Sequence, residues 1–267
     1  MQKVIFITGA SSGIGKSIGE FLHHKNHLVY GTSRNPLTVK NSLFPLVSLD
    51  VRDSKSIEDA IAQVLTITGK IDVVINNAGV GITGPLEEIP LEEIKNNFDT
   101  NLFGPIGVMK AVLPHMRKQN KGLIINITSI AAYMGLPYRS VYSSSKGALE
   151  LITEALRMEV KSFGIHITNV APGDFATNIA AGRYHAPVIK GSAYEKTYGS
   201  TLNEMNSHVD CGSNPNEMAE AIYKIMYTPN PKIHYKVGAF MQKFSIVLKR
   251  ILPDKLYEKM LMNHFKL

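Results

Sequence analysis

The chain has 267 residues, 44% of them hydrophobic and 19% charged, which is enough apolar side chain for a sizeable core and excludes wholesale disorder. Its one cysteine, Cys211, excludes an internal disulfide and a cysteine-built zinc cluster, and no metal site is expected. A formal charge of +7 leaves nucleic acid, an anionic membrane or a phosphorylated ligand open as partners until its distribution is known.

The first predicted element is a strand over Lys3–Thr8, whose apolar run Val4-Ile5-Phe6-Ile7 is too short for a signal-peptide core. Further strands are predicted at Leu28–Ser33, Leu46–Leu49, Ile71–Asn76, Leu123–Thr128 and His166–Val170, alternating with helix-patterned segments. They are apolar on consecutive positions, as expected when helices cover both faces of a parallel sheet. The alternation implies right-handed βαβ units and hence an α/β, doubly wound parallel sheet of the Rossmann type. One domain is expected over residues 1–231, with a substrate loop at about 174–214. Residues 232–267 read as a basic, amphipathic helical extension. No apolar run approaches the roughly 20 residues of a membrane-spanning helix, so a cytoplasmic, soluble location is expected.

The first strand runs into Thr8-Gly9-Ala10-Ser11-Ser12-Gly13-Ile14-Gly15. Glycines let a backbone turn sharply and approach a pyrophosphate, and the helix that follows offers free N–H groups and a positive dipole end. The spacing is Gly-x3-Gly-x-Gly rather than Gly-x-Gly-x-x-Gly, and an ordinary βα loop is the bland reading of it. At the end of the second strand, where an NAD site places a carboxylate, stand Ser33 and Arg34. A hydroxyl and a guanidinium suit a 2′-phosphate, so NADP(H) is the expected cofactor; a solvated Arg34 is the alternative. Asp50-Val51 follows the third strand and is positioned to accept from an adenine amine. Asn76-Asn77-Ala78-Gly79 ends the fourth at the carboxyl edge of the sheet, where such folds bind ligands.

Tyr142 and Lys146 are four apart in a helix-forming stretch and so project from one face. A tyrosine with a pKa near 10 needs roughly 4 kcal/mol of preference for its phenolate to exchange a proton at pH 7, and an adjacent ammonium is a suitable source. Chance Tyr-x-x-x-Lys pairs are common. This one gains weight from Ser129, thirteen residues upstream at a strand end, which can hydrogen-bond the same substrate oxygen.

Together, Thr8–Gly15, Asn76–Gly79, Asn101, Ser129, Tyr142, Lys146 and Pro172-Gly173 resemble the short-chain dehydrogenase/reductase family, in the order and spacing of its single-domain branch, over about residues 3–230. The resemblance implies Tyr142 as general acid/base and Ser129 as holder of the substrate carbonyl. Lys146 would bind the nicotinamide ribose and support Tyr142, Asn101 would hold a relay water, Pro172 and Gly173 would meet the carboxamide, and Thr177 the pyrophosphate. For Asn101 there is also a physical argument. Leu91–Met116 reads as one helix containing Gly104-Pro105, and Pro105 has no N–H for the Asn101 carbonyl, which is left to accept from a water. A simple kink is the alternative. By the same resemblance a homodimer or homotetramer is expected.

Substrate contacts are expected from Tyr133, Met134, Leu136 and Tyr138, and from a long segment carrying Tyr184, Tyr194, Tyr198 and Met205. The C-terminal run resembles the hydroxysteroid and retinol dehydrogenase members, which implies a ketone on a steroid, retinoid or long-chain sphingoid scaffold. A small polar keto substrate and a non-catalytic dinucleotide sensor are the alternatives; a nucleic-acid partner is not expected. From Lys232 onward there are eight basic side chains against Asp254 and Glu258, so +6 of the +7 resides in the tail. Its apolar residues, Phe240, Phe244, Val247, Leu248 and Ile251, then Leu256, Met260, Leu261 and Phe265, form a stripe that either docks on the domain or meets a membrane surface.

Overall fold

The computed structural model describes residues 1–175, 182–207 and 214–267. Strand β1 (Val4–Ile7) leads into α1 (Gly13–His24), β2 (Leu28–Ser33), β3 (Leu46–Ser48), α2 (Ser54–Thr68), β4 (Val73–Asn76) and the two-residue β5 (Ile82–Thr83). Helices α3 (Leu91–Phe98) and α4 (Gly104–Lys118) follow, then β6 (Gly122–Ile127), α5 (Ser140–Glu159), β7 (Ile165–Pro172) and β8 (Tyr184–His185). The chain closes with α6 (Glu195–Ser207), α7 (Pro215–Met226), β9 (His234–Val237), α8 (Phe240–Ile251) and α9 (Asp254–Phe265).

The main sheet has seven parallel strands in the order β3-β2-β1-β4-β6-β7-β9, the doubly wound Rossmann arrangement. Side chains alternate across it. Val4, Phe6, Val74 and Ile124 face the layer of α2, α4 and α5, where Val64, Val112, Met116 and Leu149 pack. Ile5, Ile7, Val73 and Ile125 face α1 and α7, meeting Ile18, Leu22, Ile222 and Ile225. This explains the consecutive apolar runs: period-2 strands buried on both sides need both sets of positions. After β3 the chain returns to place β4 beside β1, so the order reverses between these two strands, and a crevice opens at their carboxyl ends.

Three boundaries differ from the sequence reading. His234–Val237, placed there in the extension, form the seventh strand against Asn169–Pro172. The stretch read as one helix over Leu91–Met116 is two, joined by a π-helical turn at Asp99–Phe103. Pro105 cannot donate to a carbonyl four residues back, and the wider turn takes up the mismatch. The described part of the expected substrate loop contains β8, paired with β5, and α6.

In the tail, Ile246 and Tyr257 are buried against Ile130, Met134 and Ala171, with Leu248, Leu252, Met260 and Leu261 packed around them. Phe240, Phe244, Val247, Ile251 and Leu256 are exposed. The tail therefore docks through one face and leaves a second apolar face outside. Among the described residues, no helix is long and apolar enough to cross a membrane, and no group of His, Cys, Asp and Glu could hold a metal ion.

Candidate active site

The crevice is one cavity of about 910 Å³. It is lined by Gly9, Ser11, Ser12, Gly13, Ile14, Ser33, Arg34, Asp50, Val51, Asn77, Ala78, Gly79, Ser129, Tyr142, Lys146, Pro172 and Gly173, all residues singled out in the sequence. Gly15 and Asn101 lie behind this wall, and Thr177 falls outside the described residues.

At one end, Gly9 and Gly13 take the left-handed φ values of +65° and +56° that favour glycine. A Cβ on Gly9 would come within 3.0 Å of the Ala78 Cα, so the turn is pressed against the end of β4. Thr8 and Asn77 lock the two strand ends: the Thr8 hydroxyl accepts from the Asn77 and Ala78 N–H groups at 3.0 Å each. The Asn77 amide donates to the Thr8 and Gly9 carbonyls, also at 3.0 Å. Gly15 serves this packing rather than the ligand, since a Cβ there would meet Asn77 Nδ2 at 2.4 Å. Ser12 begins α1 without bonding its side chain to the helix, and no acidic residue occupies the first turn. A glycine-built cradle and an uncapped helix start with no competing carboxylate fit a dinucleotide pyrophosphate.

Arg34 is exposed at the rim, beside Ser33. Asp50, expected to accept from an adenine amine, also has a partner within the protein. Its carboxylate accepts from Arg52 Nε at 3.1 Å and Nη2 at 2.7 Å, and this bond holds its pKa below the ordinary carboxylate range. An adenine would share that carboxylate with Arg52.

At the other end, Ser129 follows the strand end of β6 and begins the short helix Ile130–Tyr133, its hydroxyl accepting from the Ala131 N–H at 3.1 Å. Tyr142 is half-buried in the first turn of α5, and Lys146 is buried one turn on. Lys146 Nζ donates to the Ile127 carbonyl at 2.9 Å. Burial lowers its pKa to about 8, against the opposing pull of Glu150.

Asn101 is fully buried in the π turn. Its side chain brackets Val80, Oδ1 accepting from the N–H at 2.8 Å and Nδ2 donating to the carbonyl at 2.8 Å. A Cβ on Gly79 would meet Asn101 Oδ1 at 3.1 Å and Lys146 Nζ at 3.3 Å, so both converge on the same glycine. The Asn101 side chain thus sits beside Lys146 and holds the loop after β4 in place.

Sequence reasoning missed Glu150, one turn beyond Lys146. Its buried carboxylate accepts from Thr128 Oγ1 at 2.5 Å, Tyr133 OH at 3.0 Å and Asn169 Nδ2 at 3.0 Å. His234 of β9 stands 2.6 Å away through Nδ1, with its Nε2 3.0 Å from Glu154. Burial, then Glu150, raises the pKa of Tyr133, which leaves it a proton donor to that carboxylate. Also missed were Arg139 and Arg183, which line the cavity near Tyr142.

A family model for short chain dehydrogenases matches residues 3–187, and the chain belongs to the short-chain dehydrogenase/reductase family. It is an oxidoreductase of that family, acting on alcohol and keto groups of small molecules. Among similar proteins, a 3-ketodihydrosphingosine reductase of Bacteroides thetaiotaomicron is 40% identical over 96% of this chain and 95% of its own length. Human retinol dehydrogenase 8 is 32% identical over 86% of this chain and 80% of its own. A short-chain dehydrogenase structure from Streptomyces avermitilis superposes with a TM-score of 0.84 at 29% identity, covering 99% and 97% of the two chains.

Proposed function

We propose that this chain is an NADPH-dependent oxidoreductase that interconverts a ketone or aldehyde with the corresponding alcohol on a lipophilic substrate. The carrying observation is that Ser129, Tyr142 and Lys146 share one cavity with the glycine turn and the Ser33–Arg34 rim. The cofactor, when bound, supplies the hydride. Ser129 holds the carbonyl oxygen, and Tyr142 gives that oxygen its proton, with the Lys146 ammonium behind it. Asn101 and the π turn keep Gly79 and Val80 shaped to receive the nicotinamide side.

The choice of NADPH over NADH rests on Ser33 and Arg34, which offer a 2′-phosphate charge-assisted bonds and offer a 2′-hydroxyl no carboxylate. The lipophilic substrate is supported by two relatives whose names specify 3-ketodihydrosphingosine and retinol. The basic tail is read as a membrane-surface contact, and the protein as cytoplasmic with that peripheral association. Assembly into a homodimer or homotetramer is supported by Leu151 and Met158, exposed seven apart on the outer face of α5.

NADPH consumption with a panel of steroid, retinoid and long-chain ketones tests the reading. Tyr142→Phe is expected to lose about 10²- to 10⁴-fold in kcat, and Arg34→Asp to invert the preference for NADPH over NADH. Turnover that survives Tyr142→Phe, or no turnover of any lipophilic ketone, would overturn it.

A further inference from the structure

The substrate end of the cavity carries charge that carbonyl reduction does not need. Arg139 and Arg183 both line it beside Tyr142. Arg139 is the residue before α5, and Arg183 the residue before β8. The Tyr184 N–H donates to the Gly81 carbonyl at 3.0 Å and the Ala186 N–H to that of Thr83 at 2.9 Å, so β8 is fixed along β5. The stem of Arg183 then lies over Gly81, where a Cβ would meet its Cγ and Nε at 2.8 Å. On the far side of β5, the Gly84 N–H donates to the carbonyl of Tyr138 at 2.9 Å, and Tyr138 takes a left-handed φ of +58° immediately before Arg139. The short β5–β8 ladder thus fixes the backbone that carries both arginines into the cavity.

Among the described residues, neither arginine has a carboxylate at ion-pair distance. Of the acids lining the cavity, Asp50 is taken by Arg52 and Asp174 accepts from Gln242 Nε2 at 2.6 Å; Glu93 is the third. Burial, then the like charge of Arg139, holds the Arg183 pKa below its ordinary value, with Tyr142 and Asp174 opposing. Burial followed by the two arginines does the same to His185. Guanidiniums stay charged near neutrality, and a partly buried cation without a paired anion is costly.

We infer that Arg139 and Arg183 form an anion-binding subsite for the substrate, so that the preferred carbonyl compound carries a carboxylate or phosphate near its reacting carbon. The inference rests on Tyr142 and Ser129 marking the reacting end. Planar guanidinium forks match carboxylate and phosphate geometry, and two of them lining one cavity suit a charged head group. An ammonium in that position meets two like charges and is disfavoured, so among lipophilic ketones a free sphingoid base is not the one this subsite prefers. The same forks would also suit a phosphate of the cofactor, and the test separates the two sources.

The full chain, with the variants Arg139→Gln, Arg183→Gln and Arg183→Lys, is assayed with NADPH on a γ-oxo fatty acid, its methyl ester, a long-chain ketone phosphate ester and a quaternary ammonium ketone of equal length. The expected result is a kcat/KM for the acid or the phosphate at least about tenfold above the ester and the ammonium ketone, a single charge-assisted contact being worth that much. Arg183→Gln removes most of this advantage through KM, Arg183→Lys retains part of it, and the KM for NADPH changes by less than about twofold. Equal rates on acid and ester, unchanged by the variants, would overturn the subsite while leaving the reductase reading intact. A rise in the KM for NADPH common to all ketones would assign the arginines to the cofactor and likewise overturn it. Calorimetric binding of the γ-oxo fatty acid decides the matter even if none of the ketones is reduced: binding weakened about tenfold in Arg183→Gln supports the subsite, and equal binding rejects it.

Discussion

Lys146 shows how this site holds a charge where the fold does not favour one. Its side chain is buried, its ammonium bonds the Ile127 carbonyl, and desolvation lowers its pKa from 10.5 to about 8. At pH 7 the folded protein therefore keeps a cation whose burial costs on the order of 3 kcal/mol. Because the folded pKa lies below the unfolded one, the unfolded chain binds more protons between about pH 8 and 10.5. Wild-type stability should rise through that window and lack this contribution below it. Lys146→Met is accordingly expected to be more stable than wild type at pH 7, by about 1–3 kcal/mol after loss of one hydrogen bond. The gain should shrink as pH rises past 8, while kcat at pH 7 collapses. Paired chemical denaturation curves at pH 7 and 10 check the sign; a variant less stable at pH 7 would show that the ammonium is compensated in place. At this scale the sequence was most legible for Ser129, Tyr142 and Lys146, whose chemistry is written in residue type and spacing. Arg139 and Arg183 belong to no short spacing, and only the pairing of β5 with β8 brings them into one cavity.

At the scale of elements, α5 is more than a carrier of Tyr142 and Lys146. Through Glu150 it binds the end of β6 at Thr128, β7 at Asn169, β9 at His234 and the short helix after Ser129 at Tyr133. One buried carboxylate thus sets the position of Ser129 relative to Lys146 and raises the pKa of that lysine against desolvation. Glu150→Gln retains the shape but turns one acceptor into a donor facing other donors, at an expected cost of about 1–3 kcal/mol. With its negative charge gone, the Lys146 pKa should fall further below 8, so the alkaline limb of the kcat/KM profile moves to lower pH. A purely structural role would lower stability and leave that limb in place, so pH–rate profiles of the two proteins discriminate. The buried parallel strands could be read directly because six apolar runs leave little else for them to be. Strand β9 could not: His-Tyr-Lys-Val is half-buried at the edge of the sheet, and its register comes from Asn169–Pro172 rather than from its own pattern. The π turn at Asn101 was visible only as a proline in a helix, which says that a bond is missing but not how the backbone relaxes.

For the whole molecule, the uneven charge becomes a matter of shape once the tail is placed. Residues 1–231 are nearly neutral, and of the eight basic side chains beyond them five lie on α8 and α9, two helices with two apolar faces. The inner face, Ile246 and Tyr257, is accounted for by the domain. Along α8, Phe240, Phe244, Val247 and Ile251 recur at intervals of three and four and stay outside, with Phe240 and Ile251 each 71% exposed. Phe240 and Phe244 stack on each other, ring centroids 5.8 Å apart, rather than on a core. Arg250 on the same helix is exposed, as are Lys255 and Lys259 of α9. An apolar stripe edged by cations suits an anionic lipid surface, each lysine near it contributing about 1 kcal/mol, which is lost to screening as salt rises. The protein is therefore expected to sediment with vesicles containing phosphatidylserine at low salt and far less with neutral vesicles. Raising the salt should release most of it, and the double variant Phe240→Ser/Ile251→Ser should weaken what remains by about tenfold or more, as removal of two buried apolar side chains predicts. Reduction of a freely soluble ketone should be unchanged in that variant, because neither residue lines the catalytic cavity. Failure to sediment with anionic vesicles at low salt would reject the membrane contact. A concentration-dependent dimer abolished by the same two substitutions would instead assign the stripe to a second copy of the chain.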